Sequence, residues 1–414
     1  MAVRTLKACL ERRAGCPGSI KAATMRKIIA TKITGMALIL IPALVFAATY
    51  TLQFGWLSDS IDNGIEDVGY ESSIAVDRLL NPHISYYDAT KGALKYIRWS
   101  TSNDTLRISS DAKYHNGWLI YTVDKKKVGR YTSIKLDSME RPNISYYDVG
   151  NASLKFARYD GSRWLIALVD AGYVGRYSSL ALDKSYRPHI SYYDSSRGAL
   201  KYAFWDGFKW NVEFVDYPRY GNAGRYTSIA IGDNDKPYIA YYDSGNGCLK
   251  YAYMASGDWR IETVDGGEQM NVGQFASLTL GNGNIPHISY FDSSRRALKY
   301  AVKKGFSWEI STIDGGNGAP DVGQYSSIKL DIYGNPNICY YDATFKQLKL
   351  AKKDGTGWSC NVIDKEQGND IGADCSMAFD VQNNWHISYR DKSNTNLKYA
   401  NSRPVDIPID RLVK

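Results

Sequence analysis

Three arginines follow a glycine at matched places in the chain, in Gly129-Arg130-Tyr131, Gly175-Arg176-Tyr177 and Gly224-Arg225-Tyr226. A guanidinium donates two parallel bonds from a fixed fork, so a set of three suits a planar anion such as a carboxylate or phosphate. Tyr70, Gln274, Gln324 and Ala373 hold the corresponding position elsewhere, and the residue that follows is Glu71, Tyr131, Tyr177, Tyr226, Phe275, Tyr325 or Asp374. Two acids thus stand where an aromatic ring is usual, and carboxylates accept hydroxyl donors or move protons. The candidate ligand-binding residues are Arg130, Arg176, Arg225, Tyr70, Glu71, Asp374, Gln274 and Gln324; no residue is assigned as catalytic. An alternative needs no ligand: each guanidinium lies on a neighbouring Tyr ring and binds nothing.

These positions recur because the chain is built from repeats. Val174 to Asp216 reads VGRYSSLALDKSYRPHISYYDSSRGALKYAFWDGFKWNVEFVD, and related units begin near Val68, Val128, Ala223, Val272, Val322 and Ile371, making seven. Two spacings hold without slippage. Asp-x5-Leu-Lys occurs at Asp88, Asp148, Asp194, Asp243, Asp292, Asp342 and Asp391. Trp-x5-Asp occurs at Trp118, Trp164, Trp210, Trp259, Trp308 and Trp358, six times against seven.

Each unit divides into four short runs of β-branched and aromatic residues separated by turn residues, in the third unit Tyr177–Leu182, His189–Tyr193, Leu200–Phe204 and Trp210–Val215. Asp160-Gly161, Asp206-Gly207 and Asp354-Gly355 fit tight hairpins between the last two runs. Four antiparallel strands in about 45 residues, repeated, define a propeller blade. The expected fold is all-β, a seven-bladed β-propeller of four-stranded antiparallel blades. The seventh unit lacks its Trp-x5-Asp strand, and Trp56 and Asp62 in FGWLSDSID supply that interval from the other end of the chain. The N-terminal strand Trp56–Asp62 is therefore expected to close the last blade, which removes the open sheet edges of an unclosed array. Sixty residues separate Asp88 from Asp148, and the surplus around Ser100 to His115 lengthens a loop of blade one.

Positions filled alike in every blade read as packing. His83, His189, His287 and His386 share one second-strand slot, which disperses them around the ring and precludes a metal or catalytic cluster. The tryptophans read as interblade core, and the Asp of each Asp-x5-Leu-Lys as an acceptor for the following turn, with the Lys adding an ion pair worth up to about 1 kcal/mol if exposed. The 33 tyrosines would equally suit sugar pockets between blades.

The net charge of +8 does not mark a nucleic-acid binder, because residues 1–47 carry +7 of it. Residues 25–47 form a basic start, an apolar run from Ile33 to Phe46 and Val45-Phe46-Ala47, a signal-peptide pattern cut after Ala47. Residues 1–24 read as an extension outside the fold, and 48–414 as a single propeller domain. The expected location is extracellular, cell-surface or periplasmic, with membrane contact only through the signal segment if it is uncleaved. Cys248, Cys339, Cys360 and Cys375 form no CxxC pair, so a zinc site is not expected; small buried thiols are, with their pairing left open. No cofactor is expected. A calcium ion among Glu66, Asp67, Asp321 and Asp370 is the weaker alternative, since no DxDxDG run exists.

The PHISYYD, LKYA and DGxxW units resemble those of exported propeller proteins, and are distantly similar to the Asp-box (BNR-repeat) sialidase and fucose-lectin propellers. The match is partial: an Asp box reads S-x-D-x-G-x-x-W, whereas Asp160 and Gly161 are adjacent here, and those families typically have six blades. The resemblance implies either a non-catalytic binding module for glycan or an extracellular protein partner, or a sialidase-like glycoside hydrolase. For the latter, Arg130, Arg176 and Arg225 would hold a substrate carboxylate, and Tyr70, Glu71 and Asp374 have the residue types for a nucleophile pair and an acid/base. A structural surface scaffold is the third reading.

Overall fold

The computed structural model describes residues 57–62, 64–100, 112–219, 221–267, 270–316 and 320–402. The segments assigned to the extension and the signal peptide, and Trp56 itself, lie outside the described residues.

Val174–Leu182, Pro188–Asp194, Ala199–Trp205 and Trp210–Asp216 form one antiparallel sheet in sequence order, and the same order recurs in the other units. Period-two alternation buries one set of side chains against the preceding blade and the other against the next. The first strands contact one another from blade one to blade seven, and blade seven returns to blade one. The result is a closed seven-bladed β-propeller with a core cluster at each blade interface. In blade one the surplus residues add a fifth strand, Ala112–His115, rather than only lengthening a loop.

The last blade is completed by Leu57–Asp62, which pairs with Asn396–Asn401. The N-terminal strand also carries the same irregularity as its counterparts: the register shifts between Ser60 and Asp62, as it does between Leu168 and Asp170. This bulge turns Ile61 into the core, 1% exposed, in the role that Val169 and Val215 play elsewhere.

The invariance of Trp-x5-Asp has a physical cause. The Asp of each blade accepts a hydrogen bond from a buried Tyr in the second strand of the next: Tyr146 to Asp124 at 2.7 Å, Tyr192 to Asp170 at 2.7 Å, Tyr241 to Asp216 at 2.7 Å. Tyr86 donates to Asp62 at 2.6 Å, so the join between the chain ends is sealed as the other interfaces are. In blades two to seven the Lys of Asp-x5-Leu-Lys reaches the same carboxylate, as Lys155 to Asp124 at 3.2 Å and Lys398 to Asp364 at 2.8 Å, whereas Lys95 of blade one pairs with Asp88. These lysines are largely buried, and several also make the intrablade pair expected, as Lys155 with Asp148 and Lys250 with Asp243 at 2.8 Å, so the same ammonium links blades and closes its own hairpin. The Trp rings pack edge-on against the preceding blade, Trp164 on Tyr96 at 5.4 Å and Trp118 on Tyr399 at 5.4 Å.

The repeated Asp accepts turn N–H bonds as expected, for example Lys91 N–H to Asp88 at 2.8 Å. In the outer hairpins Gly161 and Gly207 have positive φ, but in the sixth blade Gly357 does so in place of Gly355. The four histidines are structural; His386 Nδ1 lies 2.5 Å from Tyr399 Oη and its Nε2 3.2 Å from Asp380.

Five interfaces near the axis carry a hydroxyl pair, such as Ser72 with Ser388 at 2.9 Å and Thr227 with Ser191 at 2.7 Å. The remaining two replace both members together, by Ala240 with Ala276 and by Cys339 with Cys375. Cys248, Cys339 and Cys375 are buried free thiols, whereas Cys360 is exposed.

Candidate functional site

Each first strand opens with a glycine of positive φ, followed one residue later by the ladder and two residues later by a second left-handed residue. Gly175 has φ 106°, Arg176 pairs with Tyr193, and Tyr177 has φ 56° before pairing resumes at Ser179. This two-residue bulge separates neighbours in sequence: the first residue stays on the sheet, and the second turns toward the axis. Glu71, Tyr131, Tyr177, Tyr226, Phe275, Tyr325 and Asp374 all have φ between 50° and 56°, and all line one cavity of about 520 Å³ at the mouth of the central channel.

Five of these seven form an unbroken aromatic arc. Ring centroids are 4.7 Å apart from Tyr131 to Tyr177 and from Tyr177 to Tyr226, then 4.6 Å from Tyr226 to Phe275 and from Phe275 to Tyr325. Glu71 and Asp374 close the circle. Burial holds the hydroxyls of Tyr131, Tyr226 and Tyr325 well above the usual phenol range, so none is poised as a phenolate nucleophile.

The two acids differ. Glu71 is gripped by Arg130, which donates from Nε at 3.1 and 3.0 Å and from Nη2 at 2.7 Å, and it also accepts the Tyr131 N–H. Asp374 borders the cavity without a side-chain ion pair among the described residues, and burial, then the Glu71 charge, pushes its carboxyl up to about 7. Folded Asp374 therefore keeps a proton that the unfolded chain, near the ordinary 3.8, has already lost. Its contribution to stability is present below about pH 4 and is lost as pH rises through 7. The Asp374→Asn variant is expected to gain stability over wild type as pH is raised from 4 to 8, with the difference vanishing at the acid end. Urea denaturation across that range measures it, and a pH-independent difference would contradict it.

Of the residues singled out in the sequence, Tyr70, Glu71, Arg130 and Asp374 line the cavity; Arg176, Arg225, Gln274 and Gln324 do not. Arg176 lies 5.7 Å over the Tyr147 ring and Arg225 5.7 Å over Tyr193, while Gln274 donates to Asn271 at 3.4 Å and Gln324 to Asp321 at 3.3 Å. The three guanidinium groups do not converge. Arg390 and Lys392 line the cavity instead, Arg390 stacking 3.7 Å over Tyr70 and pairing with Asp67 at 2.6 Å. Their signal was legible as a break in the repeat, since Tyr-Arg-Asp-Lys at 389–392 replaces the usual Tyr-Tyr-Asp.

Glu66, Asp67, Asp321 and Asp370 are spread over three interblade loops with separate partners, Lys91, Arg390, Gln324 and Tyr341. Among the described residues no group of three or more His, Cys, Asp or Glu is placed to hold a metal, and no helix is long and apolar enough to cross a membrane. A second cavity, of about 670 Å³, lies between blades two and three and is lined by Arg141, Tyr159, Tyr186, Arg187, Trp205 and Trp210, among others.

The fold thus defines a closed seven-bladed propeller with an aromatic and acidic mouth. No family model matches the chain, and no curated protein matches it. Among solved structures, the extracellular domain of the hybrid two component system BT4673 from B. thetaiotaomicron aligns with TM-score 0.50 and 14% identity over 84% of this chain, which spans only 40% of that one. AofleA from Arthrobotrys oligospora aligns at 0.48 and 13%, covering 75% of this chain and 91% of its own. A leech intramolecular trans-sialidase aligns at 0.43 and 10%, covering 86% and 95%. At these identities the likeness is one of fold.

Proposed function

We propose that the protein is an exported, non-catalytic binding propeller whose channel mouth takes a saccharide. The observation that carries this reading is the continuous arc of five rings facing two carboxylates across one cavity. Apolar sugar faces stack on aromatic rings, and sugar hydroxyls donate to carboxylates held in place, as Glu71 is by Arg130. Export rests on the leader pattern of residues 25–47.

A glycan array followed by calorimetry tests the proposal. Tyr226→Ala is expected to weaken the selected glycan about 30-fold, the effect of losing ~2 kcal/mol at a central anchor. Arg176→Ala is expected to leave affinity within about 2-fold, because its guanidinium lies on Tyr147 outside the cavity. Equal losses in both variants, or an array without signal, would refute the saccharide reading; capture of an extracellular protein through the same mouth would replace it with the protein-partner reading.

The Asp374 carboxyl near 7 supports a second reading, glycoside hydrolysis with Asp374 as general acid. Turnover of a fluorogenic sialoside that disappears in Asp374→Asn would establish it.

A further inference from the structure

The slot that holds a hydroxyl pair at five interfaces holds two thiols between blades six and seven, and the register there is the same. Cys339 pairs across its sheet with Ser327 as Ser289 does with Ser277. The Met377 N–H donates to Ser327 Oγ at 3.1 Å, as the Ile328 N–H does to Ser277 Oγ at 3.2 Å. The Cys375 thiol donates to the Tyr325 carbonyl at 2.9 Å, the bond that the Ser326 hydroxyl makes to Phe275, also at 2.9 Å. Ser326 in that position lies 2.9 Å from Ser289. Cys375 accordingly lies against Cys339, its side-chain neighbour within one buried cluster.

The other described thiols are remote from this pair. Cys248 belongs to blade four, and Cys360 stands in the outer strand of blade six, two strands from Cys339. That is roughly 10 Å, beyond the ~7 Å between Cα atoms that a disulfide tolerates. The facing pair is also reachable: Cys375, 7% exposed, borders the mouth cavity, with Cys339 fully buried behind it. Turning Cys375 Sγ from the Tyr325 carbonyl toward Cys339 gives up only a weak S–H bond, and the Ala240–Ala276 interface does without any side-chain bond in this slot.

We propose that Cys339 and Cys375 form a disulfide in the exported protein, a covalent link between blade six and the blade that both chain ends complete. Export, as read from the leader, supplies oxidising surroundings. Cys375 Sγ attacks a sulfur of a small-molecule disulfide such as oxidised glutathione and releases one glutathione thiol. Cys339 Sγ then attacks Cys375 Sγ and releases the second. The two protein thiols lose two electrons and two protons, which end in the S–H groups of two reduced glutathiones. The link is independent of what the mouth binds.

Non-reducing peptide mapping of the full chain, held in oxidised glutathione both folded and during refolding from urea, tests it. A peptide pair joined through Cys339 and Cys375 is expected. The oxidised protein is expected to melt roughly 5 °C above the reduced one, because the link restricts the unfolded chain, and dithiothreitol is expected to reverse the gain. Cys339→Ser/Cys375→Ser, which installs the hydroxyl pair of the other interfaces, is expected to melt alike in both buffers. Absence of the joined pair from folded and refolded samples would overturn the proposal, as would Cys375 stopping as a glutathione adduct with Cys339 free. An equal rise in melting temperature in the double variant would overturn it too. Should that variant fail to fold, Cys339→Ala/Cys375→Ala, which repeats the Ala240–Ala276 interface, carries the same comparison.

Discussion

A chain that begins at Gly64 is expected to lose its cooperative thermal transition and to aggregate. Removing Leu57–Asp62 takes away the outer strand of blade seven, exposing the Asn396–Asn401 edge. It also uncovers the contacts of Ile61, worth about 1.5–3 kcal/mol of burial, and leaves the fully buried Tyr86 hydroxyl without its acceptor, a further ~1–3 kcal/mol. Against a typical total of about 5–15 kcal/mol, the loss consumes much of the margin before the ladder bonds are counted. Circular dichroism melts and size-exclusion chromatography measure the outcome. The point variant Asp62→Ala isolates the closing contact. It is expected to cost about 1–3 kcal/mol, and Asp170→Ala more, because Tyr86 and Tyr192 stand in equivalent bonds but Asp170 also holds the buried Lys201. If Asp62→Ala were silent while Asp170→Ala was costly, the chain ends would not be joined as described.

Gly323→Ala is expected to be among the most damaging single substitutions in the mouth, at roughly 3–5 kcal/mol, with Gly129→Ala, whose geometry is the same, costing as much. Gly323 has φ +108°, and an added Cβ would lie 2.6 Å from Leu298 Cα and 2.8 Å from Leu298 N on the preceding blade. Positive-φ strain and overpacking against backbone that cannot yield each contribute about 1–3 kcal/mol. The substitution also displaces Tyr325, two residues on, so saccharide binding is expected to fall with stability. Gly355→Ala is the control: nothing lies within 4 Å of its added Cβ and its φ is not positive, so a change within about 0.5 kcal/mol is expected in the same urea titration. Similar costs at the two positions would mean that the close approach of first strand to preceding blade is not what requires glycine.

The same Gly–Leu contact explains why two repeated features travel together. Gly129 approaches Leu94, Gly175 approaches Leu154 and Gly224 approaches Leu200, each Leu belonging to Asp-x5-Leu-Lys. The glycine lets the first strand press against the preceding blade, and its conformation sets up the bulge that aims the next aromatic at the axis.

The sequence by itself determined the blade number, the strand order and the stitching of the N-terminal strand, described over Leu57–Asp62, into the last sheet. These are encoded in short, fixed intervals: a turn that must close after Asp88, a bulge that must deliver Asp170 to Tyr192, an N-terminal segment that repeats both the length and the bulge of its counterparts. Such contacts lie within one blade or between neighbours, so every repeat states them again. What only the tertiary structure decided is which side chains meet around the axis. One strand direction carries Arg176 onto Tyr147 and its neighbour Tyr177 into the cavity, because a bulge rotates one residue and not the other. The meeting of Glu71 with Arg130, and of Arg390 with Asp67 and Tyr70, likewise depends on how neighbouring blades are set around the ring, and no interval along the chain records it.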